Sequence, residues 1–200
     1  IITLSGVYIA NCFTPLRLGN DVLRYFQIKE ALEGVSVSEN ITGNSLPNGY
    51  PLLLLMLSWF NMCTSFFIVL ANCFYLAGSL YFICHLFQGQ FRYWHLISLT
   101  LLNWIIIKTT ITPLSDIQYL FFSTGTLFFF IEYSKKRKAL LLIGMLVFCF
   151  LAILTRTIGV LLPASMGLSF ILSKKGAISE RLRSSSIWII FTIAVFLLMI

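Results

Sequence analysis

Apolar residues run along this chain in long stretches separated by short polar segments, and two stretches, Ala139–Leu154 and Ile187–Ile200, carry almost no polar side chain. A helix of a water-soluble bundle keeps a polar stripe, so runs that are apolar all round predict helices in lipid. On this pattern Ile1–Phe13 is the tail of a first span and Thr14–Tyr50 a long polar connection. Pro51–Phe60 is too short to cross a bilayer and is expected at its interface. Met62–Phe87 and Trp94–Ile107 are expected spans, followed by the polar connection Lys108–Asp116 and a further span at Ile117–Ile131. Ala139–Leu154 and Thr157–Leu172 form a pair joined at Thr155-Arg156, with Pro163 as the one good helix-breaker near the middle of its span. Ser173–Ser186 is a second basic connection, and Ile187–Ile200 opens another span. Both ends read as cuts within membrane helices, and no small-residue cleavage pattern marks the Ile1 stretch as a signal peptide. The expected fold class is all-α, a polytopic transmembrane helical bundle forming one domain over 1–200. An outer loop, 14–61, holds a short helix from Asp21 to about Glu33, capped by Asn20 and ended by Gly34.

Composition agrees: 58% of residues are hydrophobic and 10% charged, where soluble domains carry about a quarter charged. The net charge of +7 raises nucleic acid as a partner, but its distribution argues for a membrane instead. Basic residues gather at the ends of apolar runs, in Lys135-Lys136-Arg137-Lys138 and in Lys174 through Arg183. With Thr14–Tyr50 placed outside, nine basic residues fall inside and five outside, as the positive-inside rule requires. Making Pro51–Phe60 a full span would move Lys135–Lys138 outside and break the rule. The five cysteines have no CxxC spacing and read as small buried hydrophobes. His85 and His95 flank a short connection at headgroup level, and Asn40-Ile41-Thr42 matches a glycosylation sequon.

Three residues stand out for chemistry. Asp21 follows the first span and opens a helix; it serves either the helix dipole or, as a carboxylate at the membrane surface, a general base for an acceptor hydroxyl. Arg24 and Tyr25 lie one turn on. Asp116 shares the outer face with Asp21 and has the same two readings, helix start or site. Arg156 stands nearly alone between two apolar segments. It either reaches to outer headgroups or binds a phosphate or pyrophosphate, which suits the guanidinium fork; Lys108 is a weaker candidate of that kind.

Gly19-Asn20-Asp21-Val22-Leu23-Arg24-Tyr25 resembles the first outer loop of GT-C-type glycosyltransferases, which include protein O-mannosyltransferases and aminoarabinose transferases acting on lipid A. Asn48-Gly49-Tyr50-Pro51-Leu52-Leu53 is similar to that family's PPGYP segment, with Pro47-Asn48 in place of the proline pair. Leu114-Ser115-Asp116 is similar to its acidic motif after the third span. Leu154-Thr155-Arg156-Thr157-Ile158-Gly159 resembles its LTRP-G hairpin, with Thr157 where proline is frequent. The resemblance covers nearly all 200 residues, as the N-terminal part of a longer module whose C-terminal part is missing.

The resemblance implies an inverting hexosyl- or pentosyltransferase that takes a sugar from a polyprenyl-phosphate donor, with a divalent metal optional and no other cofactor. The acceptor is an envelope glycan, lipid or protein at the non-cytoplasmic face of a bacterial inner membrane. Asp21 and Asp116 are then the expected catalytic residues, with Asp21 as base. Arg156, Lys108 and Arg24 are expected at the donor phosphate, and Tyr25 and Tyr50 in the substrate loop. The competing expectation is a transporter or lipid flippase, marked by mid-span ionisable groups or helices broken at Gly and Pro. A third, a polysaccharide ligase or polymerase, shares the donor chemistry but keeps its catalytic residues in a late outer loop.

Overall fold

A computed structural model describes residues 2–35, 47–87, 98 and 103–172, and helices occupy most of them. In chain order they are α1 (Ile2–Asn11), α2 (Asn20–Leu32), α3 (Gly49–Trp59), α4 (Ser65–Leu86), α5 (Trp104–Thr110), α6 (Ser115–Lys136) and α7 (Ala139–Thr155). A 3-10 turn, Thr157–Val160, then leads into α8 (Leu161–Leu172). Every regular element among the described residues is helical, so the chain is all-α. By length and composition α4 can cross a membrane; α5 and α6 pass the same test together but meet at a bend of 108°. The apolar helices Gly49–Trp59, Ala139–Thr155 and Thr157–Ser169 are shorter. The sequon, His95, the basic stretch Lys174–Arg183 and the run Ile187–Ile200 lie outside the described residues.

α6 is the central helix, packed along α7 on one side and α4 on the other. Aromatic rings fill both seams: Phe82 lies 5.6 Å from Phe121 and 5.7 Å from Phe148, and Phe129 lies 5.2 Å from Phe148. Gly78 and Gly125 make room for them, because a Cβ at either position would run into Phe121 or Phe148. A second cluster joins Tyr25, Tyr50, Leu54 and Ile68, fastening α2 and α3 to the start of α4. At the far ends of α2 and α3, Lys29 pairs with Glu33 at 2.8 Å and the Ser58 hydroxyl donates to the same carboxylate. The Lys29 ammonium, then the Ser58 hydroxyl, hold the Glu33 carboxyl below the usual carboxylate range.

The break between α5 and α6 has a local cause. Pro113 has no N–H and steers Thr112 away from helical dihedrals, and Leu114 is extended (φ −120°, ψ 153°). Backbone carbonyls released by such a break need donors. Asn72 on α4 donates its amide to Thr110 O at 3.0 Å, the Arg17 N–H donates to Ile111 O at 3.2 Å, and the Leu114 N–H donates to Thr112 O at 2.8 Å. The linker after α1 and the middle of α4 therefore both hold the bend in place.

Several boundaries differ from the sequence expectation. Most of the expected span Trp94–Ile107 lies outside the described residues; within it Asn103 is extended, accepts from the Ile105 N–H, and starts α5 at Trp104. Asn20 is the first residue of α2 and Gly19 the cap, with no side-chain hydrogen bond. Pro163 is the third residue of α8, within the first turn, where helical N–H groups lack intrahelical partners anyway, so it breaks nothing. Gly34, at φ +82°, ends α2 as expected.

Candidate functional site

The four segments singled out in the sequence, from Gly19–Tyr25 to Leu154–Gly159, meet at the start of α6. Gly49 brings α3 against the end of α7 so closely that a Cβ would lie 2.6 Å from the Leu154 carbonyl oxygen. Gly159 does the same within the α7–α8 hairpin, where a Cβ would lie 2.8 Å from the Ala152 backbone. These two contacts set the position of Thr155-Arg156, and Arg156 leaves α7 in extended conformation (φ −149°, ψ 135°). Its guanidinium Nη2 contacts Asp116 Oδ1 at 2.7 Å, with the two side chains 44% and 39% exposed. Its Nε approaches Ser115 Oγ at 3.4 Å.

Ser115 connects this pair to α2. It is buried, and its Oγ lies 3.0 Å from the Tyr25 hydroxyl. The Tyr25 ring packs on Tyr50 at 5.3 Å between centroids. One turn before Tyr25, Val22 is buried and Asp21 exposed. Asp21 opens onto a cleft of about 350 Å³ lined by Gly19, Asn20, Asp21, Val22, Thr112 and Leu114. Ligand pockets begin at about 300 Å³, so the space admits a small headgroup. Leu114 forms the wall of this cleft and is followed directly by Ser115 and Asp116.

The expected residues thus separate into groups. Asp21, Asp116, Arg156 and Tyr25 belong to one corner. Arg24 is exposed on α2, on a different side from buried Tyr25. Lys108 is exposed near the end of α5 and contributes its carbonyl, which accepts from the Thr112 hydroxyl at 3.0 Å. Tyr50 is fully buried, and burial pushes its phenol upward. It therefore supports Tyr25 from the interior and does not line the cleft. Asp116 follows the first residue of α6 and forms no cap, because Leu114 is the capping residue. Its carboxylate is engaged by Arg156. Among the described residues no group of three or more His, Cys, Asp or Glu side chains could hold a metal.

Ser115 and Asn72 were not among the expected site residues. A lone amide in a long apolar helix marks Asn72 as special. Ser115 carries no comparable signal beyond its place before Asp116. Ser115→Ala should leave the Tyr25 hydroxyl buried without its partner, which costs about 1–3 kcal/mol. Tyr25→Phe removes the other half of the contact and should be milder, at about 0.5–1.5 kcal/mol. Thermal unfolding of the two variants checks this order.

No protein-family model, curated protein or solved structure matches this chain.

Proposed function

We propose that this protein is a polytopic membrane glycosyltransferase of the GT-C type, moving a sugar from a polyprenyl-phosphate donor to an envelope acceptor at the non-cytoplasmic face. The observation that carries the reading is the Arg156–Asp116 ion pair at the start of α6, two residues after Leu114 on the wall of the cleft onto which Asp21 opens. The surface distribution supports a membrane setting. Leu140, Ile143 and Val147 on α7 and Leu70, Phe74 and Tyr81 on α4 are exposed, while Asn72, Ser79, Gln118 and Thr126 are buried. The two ends of α6 support the orientation. Asp116 lies in its first turn and Lys135 in its last, about 28 Å apart along the axis and close to the ~30 Å of a hydrocarbon core.

The reaction follows from these roles. An acceptor hydroxyl oxygen attacks the anomeric carbon of the donor sugar, and its proton passes to the Asp21 carboxylate. The bond from that carbon to the phosphate oxygen breaks with inversion, and polyprenyl phosphate leaves with the electron pair. Arg156 stabilises the anion that departs, as fixed positive charge does where negative charge develops. The lipid tail stays in the bilayer throughout.

One feature favours a transporter: the α5–α6 helix pair is broken at Pro113, as in carriers that bind substrate at a discontinuous helix. Incubating the full-length protein in proteoliposomes with polyprenyl-phosphate sugars labelled in the sugar separates the two. The transferase releases polyprenyl phosphate and labels an acceptor. Movement of intact donor across the bilayer, without cleavage, would assign the broken helix to transport.

A further inference from the structure

Arg156 is not waiting in open solvent for a ligand. It reaches back from the end of α7 to the first turn of α6, where Asp116 holds it at 2.7 Å. We infer that Asp116 is a built-in competitor for the Arg156 guanidinium, displaced when a phosphate or pyrophosphate anion enters from the Asp21 cleft. The inference rests on the reading of Arg156 as the phosphate partner and adds to it what occupies that partner beforehand.

Two observations and one chemical argument support exchange over a permanent lock. Both side chains are more than a third exposed, and exposed pairs of this kind hold by no more than about fivefold. A phosphoryl group brings more charge than one carboxylate and matches the guanidinium with two parallel hydrogen bonds. The other tie on Arg156, from Nε to Ser115 Oγ, is long at 3.4 Å, so one strong contact has to be replaced. The exchange leaves the packing of the corner intact, because Ser115 keeps its 3.0 Å contact with Tyr25 when Arg156 swings away. Leu114 and Thr112 line the Asp21 cleft, and Leu114 stands two residues before Asp116 in the chain. On this account Asp116 keeps Arg156 neutralised until a suitable anion arrives, and it sets a threshold against weaker ones.

The test is anion binding by the full-length protein in nanodiscs of zwitterionic lipid at low salt. A polyprenyl monophosphate in the bilayer and inorganic pyrophosphate in solution serve as probes. Asp116→Asn should tighten binding by about two- to fivefold, because the competitor is gone. Arg156→Gln should weaken it by about tenfold or more, with Arg156→Lys in between. Tightening with the lipid probe names a lipid headgroup as the ligand, and tightening with pyrophosphate alone names a free anion; either supports the exchange. Weaker or unchanged binding in Asp116→Asn overturns it, since Asp116 would then orient Arg156 or ignore it. Asp116→Ser repeats the test if the first variant does not reconstitute. Tightened binding without sugar transfer from any donor would leave the exchange standing and sink the transferase reading. Transfer with unchanged affinity in Asp116→Asn would do the reverse.

Discussion

Asp21→Asn should lower sugar transfer by about 10²- to 10⁴-fold, the usual contribution of a positioned general base, while the protein still folds and reaches the membrane. The variant keeps the size and shape of the side chain and removes the basic oxygen. Asp21 is exposed at the start of α2, so little packing depends on it. The loss should appear in turnover more than in donor affinity, because the proposed reaction assigns the donor anion to Arg156 and not to Asp21. Transfer rates and donor binding measured on the same membrane preparations separate the two. Full turnover in Asp21→Asn would remove Asp21 from catalysis and leave it as a helix-terminal acid that favours the dipole.

Gly49→Ala should be the most damaging small substitution away from the chemistry. The added methyl would sit 2.6 Å from the Leu154 carbonyl oxygen and 2.7 Å from Thr155 Cα. Both are backbone atoms, so no side chain can rotate away, and the start of α3 must move off the end of α7. Overpacking of this kind costs about 1–3 kcal/mol, occasionally more. Activity should fall further than stability, because Thr155 is the residue before Arg156 and Tyr50 follows Gly49 directly. A displacement there shifts the Tyr25–Tyr50 packing and the Arg156–Asp116 contact together. Thermal unfolding and transfer rate measured side by side check the account. Gly6→Ala is the control, since nothing lies within 4 Å of a Cβ at that position.

The all-helical class was legible because long apolar runs have few other ways to satisfy their backbone. Helix ends were legible where chemistry marks them, as at Gly34. Pro163 misled because proline is disruptive only after the first turn, and the 3-10 turn at Thr157–Val160 that resets the helix start has no clear sequence mark. Asn103 and Pro113 bracket α5, and their polarity and missing N–H were visible in the sequence. The 108° bend between α5 and α6 was not, since it depends on Asn72, Arg17 and Leu114 each supplying a donor to one carbonyl. The corner itself was partly legible. Charge counting put Asp21 and Asp116 on one face, but nothing in the sequence paired Asp116 with Arg156. That contact depends on Gly49 and Gly159 permitting backbone approach, and close approach is a property of two segments at once. Tyr50 shows the same limit from the other side: its motif suggested a substrate loop, whereas its ring is packed under Tyr25.

The central claim is that a lipid phosphate binds at the corner between Asp21 and Arg156. Photocross-linking with a polyprenyl phosphate carrying a diazirine near its headgroup, followed by peptide mapping of the full-length protein, tests it most directly. The account predicts labelling of the segments 17–25 and 112–119, prevented by excess unlabelled polyprenyl phosphate and not by a zwitterionic phospholipid. Labelling confined to the opposite end of α6, around Lys135–Lys138, would contradict it.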